Sequence, residues 1–166
     1  MAESTVVKNF RDGTIVLKDG TGTPVTYTVS VEEGNLKLGG MNVTSKSYEK
    51  SVYQDRGEVS SVRKTMRKFP TVAFDIMLRD VSDASSGTFL DFVLKQNAYS
   101  ANVSTLGANM EYTITATLTI EGTDHGDSAD HTIVMADILV QDVGVEEGDP
   151  NKVTFSGMVL GTITMT

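Results

Sequence analysis

The chain has 166 residues, 22 Asp/Glu against 14 Lys/Arg, a formal net charge of −8 and no cysteine. One domain of this length buries roughly 70% of its unfolded surface, so it needs no staples, and the missing thiols exclude disulfides and thiolate metal sites and suit a reducing compartment. The charge is uneven, +3 over residues 1–70 and −11 over residues 71–166, so the second half cannot neutralise nucleic-acid phosphates.

Residues 1–12 read as a flexible arm, polar and without the apolar core of a signal peptide. Thr14 to Lys18 reads as a strand, and Asp19-Gly20-Thr21-Gly22 as a turn in which Asp-Gly supplies positive φ. Val25 to Val31 returns as its partner, with Val25, Tyr27, Val29 and Val31 on one face, so residues 14–31 form a hairpin. Residues 32–35 make a second turn, and Leu36 to Leu38 starts a short strand.

Met41 to Gly57 shows no sustained period. A loop of that length inside a domain is uncommon and often functional, so it is expected to order against a partner; the plainer reading is a mobile surface excursion. Glu58 to Met66 and Pro70 to Arg79 read as strands, the second with Val72, Phe74, Ile76 and Leu78 inward. The link between them is basic. Arg63-Lys64 and Arg67-Lys68 are the sole candidate patch for nucleic acid; a solvated strand end, or attraction to acidic surfaces of neighbouring copies, explains the same residues.

Thr88 suits an N-cap, and Phe89, Leu90, Phe92, Val93 and Leu94 give a short helix one apolar face, with Asp91 and Lys95 opposite and an end near Asn97. Tyr112 to Glu121 alternates strictly, with Ile114, Ala116, Leu118 and Ile120 inward and Thr113, Thr115, Thr117 and Thr119 outward. Residues 122–130 make a polar hairpin loop. His131 to Val143 is a long strand whose expected inward residues are Val134, Ala136, Ile138 and Val140, and Val153 to Thr166 alternates again.

Catalytic chemistry is sparse. Both histidines, His125 and His131, lie in Thr123–His131 with three aspartates. Oxygen and imidazole ligands at that density could bind a divalent ion, but the spacing fits neither the EF-hand loop nor a helical His pair, and a polar hairpin tip explains it more simply. There is no G-x-S-x-G elbow, no phosphate-cradling Gly-Lys-Ser/Thr, and no tryptophan to floor a sugar cleft. The chain reads as a non-enzyme with no cofactor. No apolar run approaches the ~20 residues of a membrane span, so no membrane partner is expected.

The order of elements resembles the tail tube proteins of long-tailed bacteriophages. Asn9-Phe10-Arg11-Asp12-Gly13 leading into Thr14–Lys18, the Val25–Val31 return strand, Tyr53-Gln54-Asp55-Arg56-Gly57-Glu58-Val59, and Pro70–Leu78 followed by Phe89–Leu94 carry the likeness. The resemblance implies a mainly β fold over residues 1–166, an antiparallel β-sandwich or barrel with one packed α-helix. It implies copies that close into hexameric rings, with strands joined into one inner barrel, and rings that stack as a channel for DNA ejection. The loop from Met41 to Gly57 would reach the neighbouring ring through Met41, Tyr48, Tyr53 and Arg56. The partners would be other copies, tail proteins at the tube ends, and genomic DNA passing without specific binding. The place would be the virion tail, assembled in the host cytoplasm. Acidic walls repel phosphates over only ~8 Å at physiological salt, which matters in a confined channel. Asp75, Asp137 and Asp142 are the candidate lumen acids; each could equally be an ordinary solvent-facing carboxylate. Other readings are a decoration or tail-terminator protein, the tube subunit of a contractile system, or a ligand-binding β-sandwich with an apolar pocket.

Overall fold

The computed structural model describes residues 13–30, 36–39, 48–123 and 126–166. The expected arm at 1–12, the turn at 32–35, Met41 and the rest of 41–47, and Asp124 and His125 lie outside these residues. Among the described residues ten strands run in chain order: β1 Gly13–Lys18, β2 Thr26–Ser30, β3 Leu36–Gly39, β4 Tyr48–Asp55, β5 Glu58–Arg67, β6 Thr71–Met77, β7 Thr113–Ile120, β8 His131–Glu146, β9 Lys152–Val159 and β10 Ile163–Met165. One short helix, α1 Phe89–Val93, follows β6, and a 3₁₀ turn covers Asn97–Tyr99. The fold is mainly antiparallel β with one helix, as the alternation predicts.

Eight strands form one sheet in the order β2-β1-β7-β8-β9-β6-β3, with β10 also paired to β8. The β1–β2 hairpin forms as expected, with Leu17 opposite Tyr27 and Ile15 opposite Val29. In a flat sheet β2 and β6 would stand roughly 24 Å apart, five strand spacings. Yet the Phe89 ring of α1 lies 6.1 Å from Tyr27 on β2 and 5.8 Å from Phe74 on β6. The sheet therefore curls around the helix, and the helix fills the concave side. Phe74 and Phe155 stack at 4.7 Å behind it, and Ile15, Leu17, Ile114, Leu118 and Ile138 complete the core.

Strand β8 supplies much of the curl. Between Ile138↔Ile114 and Met135↔Ala116 it spends three residues against two of β7, and between Val140↔Gly157 and Asp142↔Ser156 two against one of β9. Each extra residue is a bulge that bends the strand and increases its twist. Asp137 sits in the first with φ 54°, a left-handed conformation that Asp tolerates better than most residues. The bulge also reverses the alternation. Ile133 and Met135 are buried, whereas Val134 and Ala136, expected to point inward, are half-exposed on the other face. The run Ile133-Val134-Met135-Ala136 is apolar throughout, so period alone could not choose its inner face.

Two polar residues expected outside are inside. Thr113 is fully buried, because residues 102–106 fold over the start of β7; its Oγ1 lies 2.8 Å from both Ser104 Oγ and Thr105 Oγ1. Asp91 is 2% exposed instead of opposite the core. Its backbone N–H bonds Thr88 Oγ1 while its carboxylate accepts from the Thr88 N–H, a reciprocal cap. The same carboxylate accepts from the Asp83 N–H at 3.0 Å and the Asn97 side-chain amide at 2.6 Å. One carboxylate thus ties the 82–88 loop, the helix start and the helix exit together. The helix ends sooner than expected, with Leu94 as C-cap and 49% exposed.

These donors, led by the Asp83 N–H, hold the Asp91 carboxyl down at about 2. A group depressed in the folded state contributes stability that is present above its unfolded value and lost as pH falls through the folded one. Denaturant midpoints should therefore fall between pH ~4 and ~2. Asp91→Asn, which cannot accept all these bonds, should be less stable at pH 7 and show a shallower fall in that window. An unchanged acid slope would refute the assignment.

Candidate functional site

Among the described residues no constellation of catalytic side chains converges. Among the described residues no group of three or more His, Asp or Glu stands close enough to hold a metal ion. In the histidine-containing loop, Asp130 Oδ1 accepts from the Gly122 N–H, the Thr123 N–H and the Thr123 hydroxyl, and His131 Nε2 stands 3.3 Å from Asp127 Oδ2. Asp130 thus closes the hairpin loop, and its carboxyl is lowered chiefly by the Gly122 N–H.

The informative surface is a hairpin. From Tyr48 onward, the stretch expected to be an irregular loop is an arm of a two-stranded sheet, β4 with β5, separate from the main sheet. Its turn is Arg56-Gly57, both left-handed at φ 50° and 87°, the pairing a two-residue hairpin turn requires. Gly57 was the available signal; the polar run before it concealed the strand. A lone two-stranded hairpin is marginal in water, yet this one exposes Val52, Val59 and Val62 by more than half each.

The register sorts its side chains. Lys50 lies opposite Lys64, Val52 opposite Val62 and Gln54 opposite Val59; these alternate rows share one face. Ser51 opposite Arg63, Tyr53 opposite Ser61 and Asp55 opposite Glu58 share the other. On that second face the Arg63 guanidinium sits 5.6 Å over the Tyr53 ring. Of the expected inter-ring residues, Tyr53 therefore lies on the polar face, Arg56 at the tip and Tyr48 at the base. The basic run does not form one patch either. Alternation puts Arg63 and Lys64 on opposite faces, Arg67 lies 5.1 Å over Phe69, and Lys68 pairs with Glu49 at 3.6 Å.

The candidate lumen acids divide. Asp75 pairs with Thr154, which pairs with Gly144; Ala73 pairs with Ser156, which pairs with Asp142. The intervening row, Phe74–Phe155–Val143, faces the core. Asp75 and Asp142 therefore stand in adjacent rows on the face away from the helix. Asp137 is a bulge residue whose carboxylate lies against Gly161.

A cleft of about 300 Å³ opens between β2 and the end of β6, lined by Tyr27, Val29, Ile76, Leu78 and Leu90, with Asp80 and Asp83 among its polar residues. Desolvation there raises the Tyr27 hydroxyl above its ordinary value.

No protein-family model matches the chain, and no curated protein is significantly similar to it. Solved structures do share the fold. A chain of the sheath/tube terminator of an extracellular contractile injection system (PVC, extended state) superposes with TM-score 0.51 at 9% identity, over 92% of this chain and 92% of that one. A chain of the PVC sheath-tube complex in the extended state gives 0.52 at 8%, over 92% and 87%. A chain of the anti-feeding prophage baseplate, 6-fold symmetrised, gives 0.51 at 10%, over 100% and 97%.

Proposed function

We propose that this chain is a non-enzymatic structural subunit of a phage-tail-type tube, copies of which close into hexameric rings that stack around a channel. The observation that carries the reading is the β4–β5 hairpin, which stands apart from the core with Val52, Val59 and Val62 exposed. Surface of that kind on a marginal two-stranded element is stabilised by burial against a partner. The shared fold with chains of contractile injection systems, one in a 6-fold symmetrised assembly, supports the same reading. It favours a contractile-type tube or terminator as much as a long-tailed phage tube. Rings need heterologous contacts that close by rotation, and a stack needs contacts that do not.

In this reading the hairpin that carries Tyr48, Tyr53 and Arg56 is the assembly element between rings. The outward face bearing Asp75 and Asp142 would line the channel, where carboxylates keep DNA from binding as it passes. Asp137 would help shape the wall through the β8 bulge. The site of action would be the virion tail, after assembly in the host cytoplasm, with other tail proteins at the tube ends.

Negative-stain microscopy across concentration, with light scattering, tests the reading. Hollow tubes or stacked rings are expected. Replacing residues 49–66 with a short Gly/Ser link should abolish them at every concentration while the body keeps its melting transition, because the core residues all lie in the other sheet and α1. A wild-type chain that stays monomeric throughout would favour the remaining reading, a ligand-binding β fold using the cleft beside Tyr27 and Leu78.

A further inference from the structure

We infer that the hairpin's valine face, and not its tyrosine face, is the one buried between subunits, and that the surface it meets is the acidic body of a second copy. The assignment rests on the tube-subunit reading and adds which face of the hairpin binds and what attracts it.

The two faces differ in kind. Val52 and Val62 are directly opposed, and past a bulge at Ser60 the register sets Val59 across from Gln54, in the row beside them on the same face; the three valines are each 53–61% exposed. Lys50 and Lys64 bound the stripe on the same face. On the other face the Arg63 guanidinium stacks over the Tyr53 ring. The serines and carboxylates of that face, Ser51, Ser61, Asp55 and Glu58, lose hydration on burial without gaining apolar contact.

Charge selects the partner. Residues 48–68 carry six Lys/Arg and three Asp/Glu, whereas residues 71–166 carry three Lys/Arg and fourteen Asp/Glu. A hairpin of net +3 and a body of net −11 on the same chain attract between copies. The apolar stripe supplies the burial, and Lys50 beside it meets a carboxylate of the neighbour. Two hairpins meeting stripe to stripe would bring Lys50 and Lys64 of each copy together, which the like charges oppose.

Ser61 and Val62 are neighbours on β5 that point to opposite faces, so one residue of offset separates the readings. Val62→Asp should weaken assembly by roughly 100-fold or more, because it places an unpaired carboxylate in the buried stripe. Ser61→Asp should change it by about threefold or less, the scale of an exposed charge. Val62→Thr keeps the β-branched shape and the strand, and should still weaken assembly roughly tenfold, a response that loss of the hairpin itself does not explain. Lys50→Glu should weaken it about tenfold at low salt, and less at 0.5 M salt. Sedimentation and light scattering read all four, with circular-dichroism melts confirming an intact body. If Ser61→Asp disrupts assembly as much as Val62→Asp, or Val62→Asp assembles normally, the face assignment is wrong and the tube reading stands. If the wild-type chain assembles under no condition, both fail.

Discussion

Phe92→Ala should destabilise the protein by about 3–5 kcal/mol, read as a lower urea midpoint with the slope preserved. Phe92 is fully buried on α1, its ring 6.0 Å from Tyr27 and 5.0 Å from Tyr99. A helix of five residues cannot hold itself. Its aromatic side chains pin it inside the curled sheet, so truncation opens a cavity and loosens the contact with β2. Phe92→Leu, which refills part of that volume, should cost only about half as much. A loss below ~1 kcal/mol for the alanine variant would mean that the sheet holds its curl without the helix.

Gly20→Val should cost about 3 kcal/mol, at the severe end for inserting atoms into a packed site. A side chain here would put Cβ 2.6 Å from the Ser104 carbonyl carbon and 2.8 Å from Thr105 Cα. Both are backbone atoms and cannot swing away. The approach is close because the 19–25 turn is bonded to the 102–106 loop, with the Gly20 N–H donating to the Val103 carbonyl at 2.7 Å. Asp19 reinforces it, accepting from the Val25 N–H at 2.7 Å and the Val103 N–H at 3.2 Å from a site 4% exposed. Gly22, two residues on, has nothing within 4 Å of its would-be Cβ, and Gly22→Ala should be within about 0.5 kcal/mol of wild type. Equal effects at the two glycines would refute the close-approach argument.

The tail-type reading makes different demands on these two regions. The curled body must persist unchanged, whereas the hairpin has to be accessible until a second copy covers it. Core and turn substitutions should therefore lower the melting temperature, and assembly only through the folded fraction. Substitutions on the valine stripe should do the reverse. That separation makes assembly, measured beside stability, the informative pair of readouts.

Where alternation was strict and two-sided, the sequence carried the answer. Strands β1 Gly13–Lys18, β2 Thr26–Ser30, β6 Thr71–Met77 and β7 Thr113–Ile120 form within the stretches that alternate, because one apolar and one polar face leave a single way to bury the chain. Thr88 capped the helix for a local reason, a hydroxyl reaching a backbone N–H three residues on. The sequence also determined the charge contrast between the two halves and the absence of thiol chemistry.

Other features arise only when distant segments meet. Asp91 and Thr113 looked solvent-facing because period assigns a face, while their burial depends on loops that supply donors and acceptors from elsewhere. The inner face of β8 changes at Asp137 because a bulge, with its partners on β7 and β9, adds a residue that no alternation records. The stretch after Met41 read as loop because a hairpin outside the core has no buried face to impose a period. Its strand from Tyr48 is decided by pairing with β5 across the Arg56-Gly57 turn. Composition and period determine which segments can form strands; register, bulges and loop closure, which are relations between segments, decide which side of each strand is buried and which is left for a partner.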